Sequence, residues 1–142
     1  MSFYKDLIDN IATLLTGVAD NIDSENPFKP YEDNNRSSIQ IRLGEEEVIE
    51  VITINSEYKI RQRIRLNCYP EIDDSQSQNL IFSDFKSAVL DALSDNDFQT
   101  DIGTFVLQFN YDSASEPLFN DGVITFTMNF DIIYINNFAT YS

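Results

Sequence analysis

The sequence predicts an α+β domain in which two helices pack on one face of a mainly antiparallel sheet. Two segments place apolar residues at helical spacing, and five segments alternate or run apolar in the manner of strands. The length of 142 residues fits a single domain, residues 1–142, with a buried core. The predicted order is helix, three strands, helix, two strands, which describes a two-layer domain.

The first predicted helix spans residues 3–18. Its apolar residues recur at spacings of three and four and therefore share one face: Phe3, Leu7, Ile11, Leu14, Leu15 and Val18. Ser2 is the expected N-cap. Residues 20–38 follow as an irregular polar loop, because they contain two prolines and many Asn, Asp and Ser residues.

Two short strands are predicted next, at residues 39–43 and 48–54. Gly44 and the three glutamates at 45–47 favour a turn between them. Residues 48–54 are apolar on both faces, which is typical of a central strand. A tight turn at residues 55–56 would join this strand to the following one in a hairpin.

The clearest pattern in the chain is a strict alternation over residues 58–69, which predicts the third strand. One parity is apolar except for Gln62, and consists of Tyr58, Ile60, Ile64, Leu66 and Cys68. The other parity carries a basic row, consisting of Lys59, Arg61, Arg63 and Arg65. A period of two places these sets on opposite faces of one strand, which Pro70 ends.

After an acidic loop at residues 71–80, a second helix is predicted at residues 83–94. Ser83 is its expected N-cap, and its apolar stripe is formed by Phe85, Val89, Leu90 and Leu93. Two final strands are predicted at residues 104–111 and 123–135. Asp121 and Gly122 form a turn signal just before the last strand.

The formal net charge is −15, but the bases are not spread evenly. Six of the nine Lys and Arg residues fall within residues 36–70. Binding to nucleic acid is driven by Lys and Arg contacts with phosphate, so a chain this acidic is not expected to bind it. No run of 18 or more apolar residues is present, so no membrane segment is expected.

Catalytic and metal-binding patterns are missing from the sequence. The chain has no histidine, which removes the commonest general base and metal ligand. Its single cysteine, Cys68, shares the apolar parity of its strand and is expected to be a buried core thiol. The carboxylates lack the spacing of a calcium loop, and no glycine-rich phosphate loop occurs. We therefore expect a protein that is not an enzyme and that uses no cofactor or metal.

The basic row has two interpretations. In one, Lys59, Arg61, Arg63 and Arg65 lie on a solvated sheet face and pair with nearby glutamates. In the other, they form a subunit interface, in which arginines pair bidentately with carboxylates of a neighbouring copy. The acidic segment 71–101 would be the natural complement in a ring of identical subunits.

In layout and length, nearly the whole chain resembles the tail terminator proteins of tailed bacteriophages, the lambda-type minor tail family, and related neck proteins. The resemblance comprises the first helix (FYKDLIDNIATLL), the strand with alternating arginines (YKIRQRIRLNCYP), the second helix (FSDFKSAVLDAL) and the aromatic-rich final strand (GVITFTMNFDIIYI). It implies a hexameric ring that caps the tail tube, ends its polymerisation and joins tail to head.

The same resemblance implies the partners and the location. They are further copies of the chain, the tail tube protein and a head-side connector protein, with DNA only as passing cargo and no membrane. The protein would be part of the virion neck or tail, assembled in the host cytoplasm. It would have no enzymatic activity and no cofactor.

A second hypothesis of a different class rests on charge alone. An acidic inhibitor or immunity-type protein that mimics nucleic acid would bind a basic partner, and its affinity would depend strongly on salt. The net charge of −15 and the single base after residue 65 favour this hypothesis. The basic row, which would interrupt the acidic surface, disfavours it.

Overall fold

The fold of this chain, seen in a computed structural model, is an α+β domain, as predicted. The structure describes residues 3–23, 37–53, 57–72, 75–94, 106–120 and 123–137. Their elements, in chain order, are α1 (Phe3–Leu15), β1 (Asn21–Asp23), β2 (Ser38–Thr53), β3 (Glu57–Tyr69), α2 (Gln78–Leu93), β4 (Val106–Ala114), β5 (Leu118–Asn120) and β6 (Val123–Asn137).

The six strands of the described chain form an open sheet in the order β1-β2-β3-β6-β4. Strand β1 pairs with β2 in parallel, and every other pairing is antiparallel. Strands β4 and β5 both pair with β6, over successive stretches of it. The sheet therefore has two outer edges, formed by β1 and the rest of β2 on one side and by β4 and β5 on the other.

One core joins both helices to one face of the sheet, which we call the inner face. Alternate residues of β3 and β6 are buried on it, as the alternation over residues 58–69 predicted. The helices contribute Leu7, Ile11 and Leu15 from α1 and Val89 and Leu93 from α2. The opposite, outer face carries the polar parity of β3 and β6.

Aromatic rings fix α2 on the sheet. The Phe126 ring of β6 meets the Phe82 ring edge-on, with the ring centroids 4.7 Å apart. It meets Phe85 in the same way at 6.0 Å. Such edge-to-face pairs stabilise a contact beyond the apolar area that they bury.

The helix boundaries differ from the prediction. Helix α1 ends at Leu15 rather than at residue 18, and Ser2 lies outside the described residues. Helix α2 begins at Gln78, five residues before the predicted start, because Ser77 and not Ser83 is its N-cap. The Ser77 hydroxyl accepts a hydrogen bond from the Leu80 amide at 3.1 Å. The end of the predicted loop 71–80 is therefore helical.

The predicted turn at residues 44–47 is wrong, because β2 is one strand of 16 residues. Gly44 serves a close approach instead: a Cβ atom at this position would lie 3.0 Å from Cγ of Arg63 on β3. The pairing with β3 shifts between Leu43 and Glu46, where β2 gains one residue relative to β3. This is a β-bulge, in which an extra residue on one strand bends it and increases its twist.

The prediction of a central strand at residues 48–54 is also wrong. Strand β1 pairs only with residues 38–40 of β2, so within the described residues the remainder of β2 has a strand partner on one side only. Strand β1 itself lies in the predicted loop 20–38. It is held by Asp20, whose carboxylate accepts from the Ser37 amide at 3.3 Å.

The predicted order of helix, three strands, helix and two strands differs in detail from the structure, in which three strands and not two follow α2. The two predicted final strands correspond to β4 and β6. Strand β4 runs to Ala114 and continues after a short break as β5. Ser115 bridges the break: its amide donates to the Thr127 carbonyl at 2.8 Å, and its hydroxyl accepts from the Thr127 amide at 2.9 Å. The predicted turn at Asp121 and Gly122 lies outside the described residues.

Candidate functional site

The basic row lies along the outer face of β3, away from the helices. Lys59, Arg61, Arg63 and Arg65 are exposed or half-buried, and the residues between them, from Ile60 to Leu66, are buried. The predicted separation of the two parities is therefore confirmed. The four cations differ, however, in the partners that the fold gives them.

Arg63 is the best-anchored member of the basic row. Its Nε donates to Oδ1 of Asp131 on β6 at 3.2 Å, and its Nη2 donates to Oδ2 of Asp112 on β4 at 2.9 Å. These contacts raise the pKa of the guanidinium, and the hydrogen bond to Asp131 contributes most. Arg63 therefore ties together three strands of the sheet.

Arg61 makes a weaker contact. Its Nη1 lies 3.4 Å from Oε2 of Glu47, and both side chains are exposed. An exposed ion pair of this kind contributes little to stability. Glu47 is one of the local glutamates that the sequence suggested as partners for the row.

The remaining members of the row are differently placed. Lys59 lies across from Glu50 of β2, and Arg65 lies across from Arg42 of β2 and Asn129 of β6. Among the described residues, no ion pair involves Lys59 or Arg65. The fold thus brings the four cations onto one face, and Arg61 and Arg63 form ion pairs with other described residues.

The outer face is concave and forms a groove of about 820 Å³. Residues of β2 and β4 line its two sides, and residues of β3 and β6 lie between them. Five carboxylates (Glu45, Glu46, Glu47, Asp112 and Asp131) and two guanidiniums (Arg61 and Arg63) line it, which gives a formal charge of −3. Such a groove favours a cationic rather than an anionic occupant.

Other chemistry is limited in the part of the chain that the structure describes. Cys68 is fully buried, as predicted, and desolvation raises the pKa of its thiol. A buried neutral thiol is a poor nucleophile. No group of three or more Cys, Asp or Glu side chains among the described residues is placed to hold a metal ion.

Exposed apolar side chains are concentrated on the two outer edges of the sheet. Nine large apolar side chains of the described chain are exposed, and seven of them lie on edge strands. Four form the β2 patch, which we define as Leu43, Val48, Val51 and Ile52. Three form the β4–β5 patch, which we define as Tyr111, Leu118 and Phe119. Sequence reasoning missed both patches, since it assigned residues 48–54 to a central strand and assigned no element to Leu118 and Phe119.

Two comparisons with known proteins found no match. No family model matches the chain, and no curated protein matches it significantly. In the described residues, no helix is long and apolar enough to cross a membrane.

Proposed function

We propose that this chain is a structural protein of a phage neck or tail, whose copies associate into a ring on the end of the tail tube. In this role it ends tube polymerisation and presents a surface to a head-side connector protein. The ring is hexameric, and DNA passes through it as cargo. The protein acts by binding and not by catalysis.

The observation that carries the proposal is the location of the exposed apolar residues. Seven of the nine lie on the two outer edges of the sheet, and these edges are on opposite sides of the molecule. Exposed apolar residues that gather on one surface often mark a binding site. Two different patches on opposite sides are what head-to-tail association of identical copies requires.

The layout of the chain also supports the proposal. The helix, the strand with alternating arginines, the second helix and the long final strand on which the phage resemblance rests all correspond to elements of one sheet-and-helix domain. A net charge of −15 per copy also suits a conduit for DNA, because an acidic protein does not bind phosphate.

The mass of the protein in solution tests the proposal. One copy weighs 16.3 kDa, so a ring of six would weigh about 98 kDa. We expect light scattering to show a ring-sized species, or a monomer in equilibrium with it as the protein concentration rises. Negative-stain electron microscopy of the heavier fraction should show closed rings. A strict monomer at every concentration and salt would contradict self-association.

The acidic groove favours one alternative, an acidic inhibitor or immunity-type protein. Its formal charge of −3 on a concave surface is suited to a basic segment of a partner protein. This function requires a monomer or dimer that binds a basic protein tightly at low salt. A mass measurement and a salt titration of such binding distinguish the two functions.

A further inference from the structure

The two apolar patches are the contacting surfaces of neighbouring copies. We infer that the β2 patch of one copy packs against the β4–β5 patch of the next, so that each copy uses both of its sheet edges. This inference rests on the proposed self-association and identifies the surfaces that produce it. It differs from the predicted interface at the basic row, which lies on the outer face between these edges.

Within the described residues, neither β1 nor the helices cover the β2 patch. The described pairing of β1 with β2 reaches Gln40, and the β2 residues described as buried reach Ile41. Farther along, Leu43, Val48, Val51 and Ile52 are 38%, 53%, 54% and 44% exposed. Val48 lies across from Ile60 and Val51 across from Tyr58, so this patch continues the apolar inner face beyond the core.

The β4–β5 patch lies at the opposite side of the sheet. Tyr111, Leu118 and Phe119 are 42%, 66% and 41% exposed. Tyr111 lies across from Phe130 and Phe119 across from Ile124, so these two side chains also continue the inner face. Packing one patch on the other would remove both from water in a single contact.

The distribution of charge favours pairing of the β2 edge with the β4–β5 edge of another copy over pairing with a second β2 edge. The β2 edge carries Glu45, Glu46, Glu47 and Glu50. Two β2 edges brought together would set these carboxylates against their own copies, and like charges in such proximity repel. The β4–β5 edge carries two carboxylates among the described residues 106–120: Asp112, with which Arg63 already pairs, and the exposed Glu116 between the two strands. The exposed Asn110 amide already donates to Gln108 at 3.3 Å, and the remaining N–H groups of these two side chains can donate hydrogen bonds to glutamates.

The bulges of β2 favour a contact made by side chains over one made by backbone hydrogen bonds. The register between β2 and β3 shifts three times along the edge, after Leu43, Val48 and Val51. Bulges and charged residues on an edge strand are devices that prevent indiscriminate strand pairing. The β2 edge is therefore suited to one complementary apolar surface and poorly suited to a long backbone ladder with any exposed strand.

Two charge substitutions test the pairing, one on each edge. Val51→Glu places a carboxylate in the β2 patch, and Leu118→Glu places one in the β4–β5 patch, so that each patch can no longer form an apolar contact. Each variant alone should remain at the 16.3 kDa mass of one copy, because every head-to-tail contact requires one edge of each kind. An equimolar mixture retains one intact pair of edges, so it should form a dimer containing one copy of each variant. Leu80→Glu, at an exposed apolar residue of α2, is the matched control and should assemble like the wild type.

The possible outcomes are distinct. If both variants assemble like the wild type, the interface is elsewhere, although the proposed ring stands. If Leu118→Glu still dimerises and Val51→Glu does not, the contact joins two β2 edges, and the head-to-tail arrangement is wrong. If the wild type itself never associates, the proposed function fails together with the interface. Thermal unfolding of each variant distinguishes loss of assembly from loss of folding. Val48→Glu and Phe119→Glu provide a second pair of substitutions, one in each patch.

Discussion

Gln62 is a polar side chain buried in the apolar face of β3, and it stabilises the first bulge of β2. Its Nε2 donates to the Gly44 carbonyl at 2.9 Å and to the Arg63 carbonyl at 3.0 Å. The Glu45 carbonyl lies at 3.3 Å from the same nitrogen. A bulge leaves backbone groups without ladder partners, and the amide of Gln62 satisfies them.

Replacing Gln62 with leucine should therefore destabilise the protein. The change keeps the approximate volume but removes the donor, which leaves buried carbonyls without partners at a cost of about 1–3 kcal/mol. Chemical denaturation should show this decrease in the free energy of unfolding. Gln78→Leu, at an exposed position of α2, is the control and should be close to neutral. Equal stability of the two variants would mean that water donates hydrogen bonds to the carbonyls of the bulge in place of Gln62.

Cys68 should make the protein sensitive to alkali. Burial raises the pKa of its thiol above the ordinary value of 9.0. Below pH 9 the thiol is protonated in both the folded and the unfolded state, so stability does not depend on it. Above pH 9 only the unfolded chain releases the proton, so the free energy of unfolding should fall by up to about 1.4 kcal/mol per pH unit.

The measurement compares the wild type with Cys68→Ala by denaturation at several values between pH 8 and pH 10. The alanine variant starts from a lower stability, because it leaves a small cavity, but it should lack this additional slope. Parallel pH profiles for the two proteins would show that the thiol does not contribute.

At the scale of elements, the contact between α2 and β6 depends on Phe126. Its ring is buried and meets two phenylalanines of α2 edge-on. We expect Phe126→Ala to lower the free energy of unfolding by about 3–5 kcal/mol, the usual range for a buried Phe truncated to Ala. Phe130→Ala, at the next buried aromatic of β6, should behave similarly.

The matched control for this prediction is Leu118→Ala, which removes an exposed apolar side chain of β5. Measured at a concentration where the protein is monomeric, it should change stability by less than about 0.5 kcal/mol. A near-neutral Phe126→Ala would show that the inner face of β6 is not the core.

Local periodicity predicted much of the fold. The spacing of Leu7, Ile11 and Leu15 predicted α1, and the alternation over residues 58–69 predicted β3 and its basic outer parity. These patterns involve residues that are close in the sequence, so they can be recognised without knowledge of long-range contacts. The final pair of strands was predicted for the same reason.

The remaining features depend on residues that are distant in the sequence. Gly44 followed by three glutamates has the composition of a turn, whereas the structure has a bulge there, and Gln62, 18 residues later, donates a hydrogen bond to it. The partners of Arg63 are 49 and 68 residues away. The sequence also predicted residues 48–54 as a central strand from their apolar character, but the same composition also occurs on an exposed edge strand.

At the scale of the whole molecule, repulsion between copies would oppose the proposed assembly. Each copy carries −15, so six copies would carry −90 formally. Self-repulsion of this kind is reduced by dissolved salt, which screens charges over about 10 Å at ~0.1 M and about 3 Å at ~1 M. Contacts between apolar patches are not weakened by screening.

Association should therefore increase with salt. If the β2 patch and the β4–β5 patch form the contact, raising sodium chloride from about 0.1 M to about 1 M screens the repulsion and leaves the apolar attraction intact. The mass measured by light scattering should then rise at fixed protein concentration. If instead Lys59, Arg61, Arg63 and Arg65 pair with the acidic segment 71–101 of a neighbour, the same change screens the attraction, and the mass should fall. Val51→Glu is the control, since a rise in its mass as well would indicate non-specific association and not the proposed contact.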